Sequence, residues 1–254
     1  MKIIICAMII SVCLLGQPWI AEASTQRKCN NDRPVLGILS QTVTSSSVKR
    51  HHPWTKGRSY IAASYVKFAE SAGARVVPIR HDLSSSDLTE VLDSVNGVIF
   101  PGGAVSLSTS RYAKTGKRIF DYAKNKKDRG ESFPILGICL GFELLTKLAA
   151  RKNLLRRTDS IRIDLKLKFT ASAKNSRMFK GMNSRLKTLV TTKSLSYNNH
   201  HWGIYVDTYA KNSRLRRFFK SLASSKDRKG VEFVAAIEGK RNVLCQSVAT
   251  MFNN

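Results

Sequence analysis

Acidic residues are scarce in this chain of 254 residues, which contains 17 Asp and Glu against 43 Lys and Arg. The formal net charge of +26 therefore favours polyanionic partners at long range. No zinc-finger, RNP or other specific nucleic-acid motif accompanies this charge, so nothing in the sequence indicates specific nucleic-acid recognition. A dispersed, solvated basic surface is the alternative interpretation.

Motifs for cofactors and metals are missing as well. No Cys and His spacing matches a closed metal site, and the chain contains neither a P-loop nor a dinucleotide-binding fingerprint. We therefore predict no metal and no cofactor. Internal repeats and low-complexity linkers are also absent, which favours a single domain.

Long hydrophobic runs are confined to the N-terminus. Ile3–Leu15 follows Lys2 and precedes the small residues of Ala21–Ala23, which is the pattern of an export signal. This run is too short to cross a membrane, and no later stretch reaches about 18 apolar residues. We predict a signal peptide over residues 1–23, a mature domain over 24–254 and no membrane span. The mature chain is then secreted or sent to an endomembrane compartment.

Cysteine is also sparse. Once the signal is removed, Cys29, Cys139 and Cys245 remain. An odd number in an exported protein leaves at least one thiol free or bonded to another chain. A bond between Cys29 and Cys245 is an option that the sequence leaves open.

The most informative stretch is Phe133–Leu145. Its short apolar run predicts a strand buried on both faces, and its second half predicts a helix. Between them, Gly137–Gly141 carries the Gly-x-nucleophile-x-Gly pattern of a tight turn, with Cys139 at the apex. We predict that Cys139 is a thiol nucleophile; the alternative is a buried structural cysteine.

The rest of the first half alternates strand and helix patterns. Strands are predicted at Val35–Leu39, Ala74–Ile79 and Gly97–Gly103, and helices at Ser59–Gly73, Asp87–Val95 and a solvated Lys114–Lys127. Beyond residue 151, strands are predicted at Ser160–Phe169, Leu186–Thr192 and Glu232–Ile237, and a basic helix at Arg214–Leu222. The alternation predicts an α/β fold with a mostly parallel central sheet flanked by helices.

Five segments of the chain together resemble the γ-glutamyl hydrolases. They are residues 33–40, 60–67, 70–78, 96–103 and 133–145. The resemblance extends from about residue 33 to 238 and implies a class I glutamine amidotransferase-like, flavodoxin-like architecture. It also implies hydrolysis of γ-glutamyl bonds in folylpoly-γ-glutamates, in a lysosome or vacuole or after secretion, and a homodimer.

The same resemblance implies roles for individual residues near the turn. Cys139 matches the nucleophile of the family. Gly102 and Gly103 match a Pro-Gly-Gly turn whose backbone, with the amide of Leu140, is implied to bind the oxyanion. Such fixed N–H donors stabilise the charge that develops when a thiolate attacks an amide carbonyl.

Two further residues match family positions. Glu143 stands one helical turn beyond the cysteine, where the family also has Glu, and an ordinary helix residue is the alternative. His200 matches a histidine implied at the active site, and the alternative is a surface-loop pair formed with His201.

The chain departs from the family pattern near its end. The general base of the family lies in a His-Pro-Glu motif after a segment like Val231–Glu238. Here the sequence diverges from Gly239, and its five histidines stand at 51, 52, 81, 200 and 201 outside any such motif. We expect a chain truncated or divergent after about residue 238, through a shortened isoform or an incorrect gene model. Loss of a positioned base costs about 10²–10⁴-fold in turnover.

Three functions are compatible with the sequence. The first is a cysteine hydrolase of γ-glutamyl chains, in which the basic surface steers a substrate whose every γ-linked residue keeps an α-carboxylate. The second is a secreted, catalytically impaired pseudoenzyme that binds polyanions. The third is a glutaminase that passes ammonia to a synthase, against which the export signal and the lack of a synthase domain both count.

Overall fold

A computed structural model of the chain describes residues 33–43, 53, 56–240 and 248–250, the last three by their backbone alone. The predicted signal peptide and the thiols of Cys29 and Cys245 lie outside these residues. From Arg33 onward the chain forms one unit by its internal contacts. Among its described helices, none combines the length and the apolar character needed to cross a membrane.

The first half of the described chain alternates strands and helices, as predicted. Its strands are β1 (Val35–Leu39), β2 (Gln41–Thr42), β3 (Ser59–Tyr60), β4 (Arg75–Ile79), β5 (Gly97–Phe100) and β6 (Ile135–Ile138). Its helices are α1 (Ala63–Ser71), α2 (Ser85–Asp93), α3 (Arg111–Asp128) and α4 (Leu140–Ala150). β1 pairs in parallel with β4 and β5, and β5 pairs in parallel with β6. The predicted α/β fold with a helix-flanked parallel sheet is therefore confirmed.

The second half extends this sheet with antiparallel strands. Its strands are β7 (Arg156–Leu165), β8 (Lys168–Phe169), β9 (Ser196–Gly203), β10 (Phe219–Lys226), β11 (Glu232–Gly239) and β12 (Val248–Thr250). Its helices are α5 (Ser184–Thr192), α6 (Val206–Lys211) and α7 (Ser213–Phe218), with a 3₁₀ turn at Ala171–Ala173. The eight-stranded sheet has the order β4-β1-β5-β6-β12-β11-β10-β8. β7 pairs separately with β9, and β2 pairs with β3.

The core covers both faces of the parallel strands. On one face α2, α3 and α4 pack against the sheet around Phe100, Ile119 and Phe142, all of which are fully buried. On the other face α1 packs against Ile38 and Ile99. Burying one such large apolar side chain contributes about 1.5–3 kcal/mol, so these layers hold the sheet and fix the strand ends that carry the site.

Helix α1 begins later than predicted. Ser59 and Tyr60 pair with β2 as a short strand, so Ser59 does not cap the helix, and Ala62 occupies the N-cap. The predicted end is confirmed, because Gly73 follows the helix with a φ of +86°. Phe68 of this helix is 44% exposed although it is a large apolar residue.

The other corrections fall mainly in the second half. The predicted strand Leu186–Thr192 is helix α5, because the side chain of Asn183 caps it and accepts the Leu186 N–H at 2.8 Å. The predicted helix Arg214–Leu222 ends at Phe218 and continues as strand β10. The predicted strand Ser160–Phe169 starts at Arg156 and is interrupted after Leu165. α3, predicted to be solvated, buries one face against the core.

Candidate functional site

Cys139 occupies the tight turn between β6 and α4. Its backbone has φ +52° and ψ −109°, a conformation that costs a non-glycine residue about 1–3 kcal/mol. A Cβ on Gly141 would overlap the carbonyl oxygen of Phe100, and one on Gly137 would lie 2.7 Å from the Gly141 backbone. The predicted strand–turn–helix is therefore present, and both glycines are needed where strand and helix nearly touch.

The N-terminus of α4 points its first N–H groups toward the apex of this turn. Leu140 is the first helical residue, so its N–H has no acceptor within the helix. The first turn closes with the Glu143 N–H donating to the Cys139 carbonyl at 3.0 Å. Unpaired N–H groups and the helix dipole favour a negative charge on a sulfur at this place.

The turn Pro101–Gly103 follows β5 and lies beside the tight turn Gly137–Gly141, which we call the elbow. β5 and β6 are paired with Phe100 opposite Gly137, so the residues that follow both strands are neighbours at one edge of the sheet. Tyr112 donates its hydroxyl proton to the Pro101 carbonyl at 2.9 Å. The side-chain amide of Gln41 donates to the Gly102 carbonyl, and a Cβ on Gly103 would overlap that side chain.

The N–H of Gly102 is already engaged. It donates to the hydroxyl oxygen of Tyr65, which lies on α1, at 2.8 Å. The resemblance implied that the backbone of the turn at Gly102 and Gly103 binds the oxyanion. In the described conformation the Gly102 N–H points at a phenol, and the role of the turn stays a prediction. Nothing in the sequence indicates this contact of Tyr65, because its hydrogen-bond partner lies far along the chain, beyond the helix that carries it.

The electrostatic surroundings connect the two tyrosines to the thiol. Burial, followed by the charge of Cys139, raises the pKa of Tyr65 to about 12. Burial first, then the charges of Tyr65, Cys139 and Glu143, raises the pKa of Tyr112 well above its ordinary value of 10.0. Both phenols therefore keep their protons at neutral pH, and that of Tyr112 is donated to the Pro101 carbonyl.

Glu143 lies on α4 one turn beyond Cys139 and is only 6% exposed. Burial raises the pKa of its carboxyl from 4.5 to about 8. The side chain is therefore mostly protonated at neutral pH, which a solvated helix residue would not be. A neutral carboxylic acid is able to donate a hydrogen bond beside an anionic substrate.

His200 lies within strand β9 rather than in a surface loop. Its Nδ1 is 2.9 Å from the Trp202 carbonyl oxygen, its Nε2 is 3.2 Å from Asn198 Oδ1, and its ring packs edge-on against Phe233 at 5.1 Å between centroids. Burial lowers the pKa of the imidazole to about 4, so the ring is neutral. The surface-pair alternative is wrong for His200, although His201 is exposed. The predicted active-site role of His200 stays a prediction.

No cluster of three His, Cys, Asp or Glu side chains suited to a metal ion occurs within the ranges that the structure describes. The chemistry that the site offers is that of a thiol at a helix N-terminus, two protonated phenols and a protonated carboxyl.

Comparison with known proteins identifies close relatives. The family model described as Peptidase C26 matches residues 34–245. Gamma-glutamyl hydrolase of Homo sapiens is 40% identical over 232 residues, which cover 90% of this chain and 71% of that protein. The Mus musculus gamma-glutamyl hydrolase is 38% identical over 236 residues, which cover 93% of this chain and 71% of that protein.

Two solved structures from Thermotoga maritima also superpose on the chain. A glutamine amidotransferase, 14% identical, gives a TM-score of 0.47 and covers 87% of this chain and 76% of its own. PurLQS, also 14% identical, gives a TM-score of 0.49 and covers 87% of both chains.

Proposed function

Because this chain belongs to the γ-glutamyl hydrolase family, also described as Peptidase C26, we propose that it hydrolyses γ-glutamyl bonds of folylpoly-γ-glutamates through a Cys139 acyl-enzyme. The observation that carries this proposal is the strained elbow, which presents Cys139 at the N-terminus of α4. An ordinary buried cysteine has no need of a positive φ between two close-packed glycines.

The chemistry proceeds in two steps. The Cys139 thiolate attacks the γ-carbonyl carbon, a sulfur–carbon bond forms and the carbonyl electrons move to oxygen. When that intermediate collapses, the carbon–nitrogen bond breaks, and the departing amine of the next glutamate takes up a proton from solvent water. Water then attacks the thioester, which releases the shortened folate chain and the free thiol.

The residues around Cys139 suit an anionic substrate. The protonated Glu143 adds no negative charge to the site at neutral pH, so it does not repel the α-carboxylate of the scissile glutamate. The net charge of +26 attracts the remaining carboxylates of the polyglutamate chain.

Proton transfer is the step for which this sequence offers least. None of its histidines, at 51, 52, 81, 200 and 201, is followed by Pro-Glu. A positioned acid or base contributes about 10²–10⁴-fold to such a reaction. We therefore expect acylation of Cys139 to be easier to observe than steady-state turnover.

The test compares the chain with its Cys139→Ala variant on folyl-γ-triglutamate. We expect glutamate release and an acyl adduct in intact-mass spectra for the wild-type chain, and neither for Cys139→Ala. Circular dichroism of both proteins establishes that the variant is folded. Equal, background-level release from both proteins, with no adduct on either, would reject the enzyme proposal.

A second candidate function is that of a catalytically impaired protein that binds polyanions. It is supported by an open cavity of about 640 Å³ near β8, where Lys168, Lys174 and Lys187 surround Phe169. This cavity is lined by residues of the antiparallel half of the fold, whereas the elbow belongs to the parallel half. Export by the N-terminal segment, delivery to a lysosome or vacuole, and a homodimer all stay predictions.

A further inference from the structure

Tyr65 lies near the elbow because it is hydrogen-bonded to Gly102, and the pairing of β5 with β6 positions Gly102. Phe100 of β5 lies opposite Gly137 of β6, so Gly102 and Cys139, each two residues further along the chain, follow the two strands at the same edge of the sheet. The Tyr65 hydroxyl oxygen is 2.8 Å from the Gly102 nitrogen. The phenol is therefore held at the turn beside the elbow, near enough to Cys139 for the charge of that residue to raise its pKa, although Tyr65 is far from Cys139 in the sequence.

The hydrogen bond with Gly102 uses the phenol as an acceptor. A tyrosine hydroxyl has one proton to donate as well as lone pairs that accept. Accepting the Gly102 N–H fixes the oxygen and leaves the proton for another acceptor. The carbonyl oxygens of Pro101 and Gly102 in the same turn accept from Tyr112 and Gln41.

The protonation state is the one that a donor needs. Tyr65 is held neutral by burial and by the negative charge of Cys139, which raise the pKa of the phenol to about 12. The charge acts in this direction because an anion beside the phenol favours the protonated form. An oxyanion that forms on a substrate attached to Cys139 would have the same effect.

We propose that the Tyr65 hydroxyl donates a hydrogen bond to the oxyanion that forms when Cys139 adds to the γ-carbonyl, together with the N–H of Leu140. Gly102 then aligns the phenol and is not itself the donor. Tyr65 keeps its proton throughout: the sulfur–carbon bond forms, the carbonyl electrons move to the oxygen, and the phenol stabilises that charge until the carbon–nitrogen bond breaks. This inference rests on the proposed function and adds a catalytic residue to it.

The test uses an analogue of the intermediate, so that it does not depend on turnover. The probe is a folyl-γ-glutamyl analogue whose scissile carbonyl is an aldehyde, which a thiol converts reversibly into a hemithioacetal. The corresponding primary alcohol cannot form this adduct and reports recognition alone. Dissociation constants for both compounds are measured for the wild-type chain and for Tyr65→Phe.

We expect Tyr65→Phe to weaken aldehyde binding about 3- to 10-fold, the range for loss of a hydrogen bond to the neutral oxygen of a hemithioacetal. Alcohol binding should change less than about twofold. Tyr122→Phe is the matched control, because its hydroxyl bonds to Asp93 away from the elbow, and it should leave both constants unchanged.

Tyr112→Phe tests whether loss of support for the turn, without loss of a donor to the oxyanion, is enough to weaken binding. The Tyr112 hydroxyl supports the same turn but donates to the Pro101 carbonyl, so we expect the aldehyde affinity of this variant to fall much less than that of Tyr65→Phe. Equal aldehyde affinity for Tyr65→Phe and wild type, a parallel loss of alcohol affinity, or an equal loss in Tyr112→Phe would each overturn the role of Tyr65.

Failure of the proposed function gives a different pattern. If the wild-type chain binds neither compound, or if Cys139→Ala binds the aldehyde as tightly as wild type does, no adduct forms at Cys139. That result would overturn the γ-glutamyl hydrolase proposal, and the role of Tyr65 with it. If the wild-type chain prefers the aldehyde and Tyr65→Phe keeps the full preference, the proposed function stands and only the role of Tyr65 is lost.

Discussion

Glu143 shows how strongly burial alone shifts a titration in this protein. Its folded pKa is about 8, against 4.5 for an ordinary glutamate. The folded chain therefore holds a proton that the unfolded chain has already released between these two values. Since the unfolded state binds fewer protons there, stability falls as pH rises from about 4.5 to about 8. Below about 4.5 the carboxyl is protonated in both states and makes no pH-dependent contribution to stability.

Glu143→Gln is expected to remove this pH dependence. Glutamine has a similar shape and no titrating proton, so the variant should gain stability relative to wild type by up to about 1.4 kcal/mol for each pH unit across this interval. Urea unfolding midpoints at several pH values measure the difference. Glu90→Gln, at an exposed carboxyl on α2, is the control and should run parallel to wild type. Parallel curves for Glu143→Gln as well would contradict the raised pKa.

At the scale of secondary-structure elements, the contact between α4 and β5 sets the position of the elbow. Gly141 lies in the first turn of α4 directly against the backbone and Cβ of Phe100. The helix cannot shift away from the strand without moving Cys139, because only Leu140 separates Gly141 from Cys139. The close approach of these elements therefore determines where the thiol and the first helical N–H groups lie.

Gly141→Ala should separate the two elements. Its new methyl group would overlap backbone atoms, which cannot rotate away, so we expect destabilisation of about 1–3 kcal/mol or more. Alkylation of Cys139 by iodoacetamide should change in rate at the same time. Gly181→Ala, where nothing lies within 4 Å of the added Cβ, is the control and should leave both measurements close to wild type. An unchanged unfolding midpoint for Gly141→Ala would contradict the contact.

The elements that the sequence predicted well are those whose signal is local. β1, β4 and the strand before Cys139 are short apolar runs, and the elbow glycines stand in the same turn that they shape. The family predicted from five such segments is confirmed. These features depend on residues that are neighbours in the sequence, so they are predicted from the sequence alone.

The elements that were predicted wrongly depend on distant partners or on a single cap. Ser59 joins a strand because β2 lies beside it, and the β-branched end of α5 is helical because Asn183 caps its start. In the site, the bond between Tyr65 and Gly102 joins residues 37 positions apart. The residue pattern within α1, or within the Pro101–Gly103 turn, does not predict such a long-range bond.

At the scale of the whole molecule, several lysines lie around one cavity of the antiparallel half. Lys174 and Lys187 line both the cavity of about 640 Å³ near β8 and a neighbouring cavity that is also lined by Lys180. The rings of Phe169 and Phe179 pack edge-on against each other, with 5.0 Å between their centroids. Only Lys168 of this group forms an ion pair among the described residues, with Glu232 at 3.3 Å. A dispersed surface charge would not favour this place over others.

Replacement of Lys174, Lys180 and Lys187 by Gln should therefore weaken polyanion binding selectively. The control replaces Lys67, Lys114 and Lys124, which are exposed on α1 and α3, and removes the same charge. We expect lower affinity for a fluorescein-labelled poly-γ-glutamate oligomer, and a shallower dependence on salt, for the first variant only. Equal losses in the two variants would show that net charge alone attracts the oligomer.

The position of β12 has a consequence for the order in which the molecule is made. This strand lies between β6 and β11, yet it follows every other described strand in the chain. While the polypeptide is leaving the ribosome, β6 and β11 therefore each expose an unpaired edge until residues 248–250 emerge. The strand that leads into Cys139 gains its second neighbour last, so the nascent chain passes through a stage in which this edge is open to association with other chains.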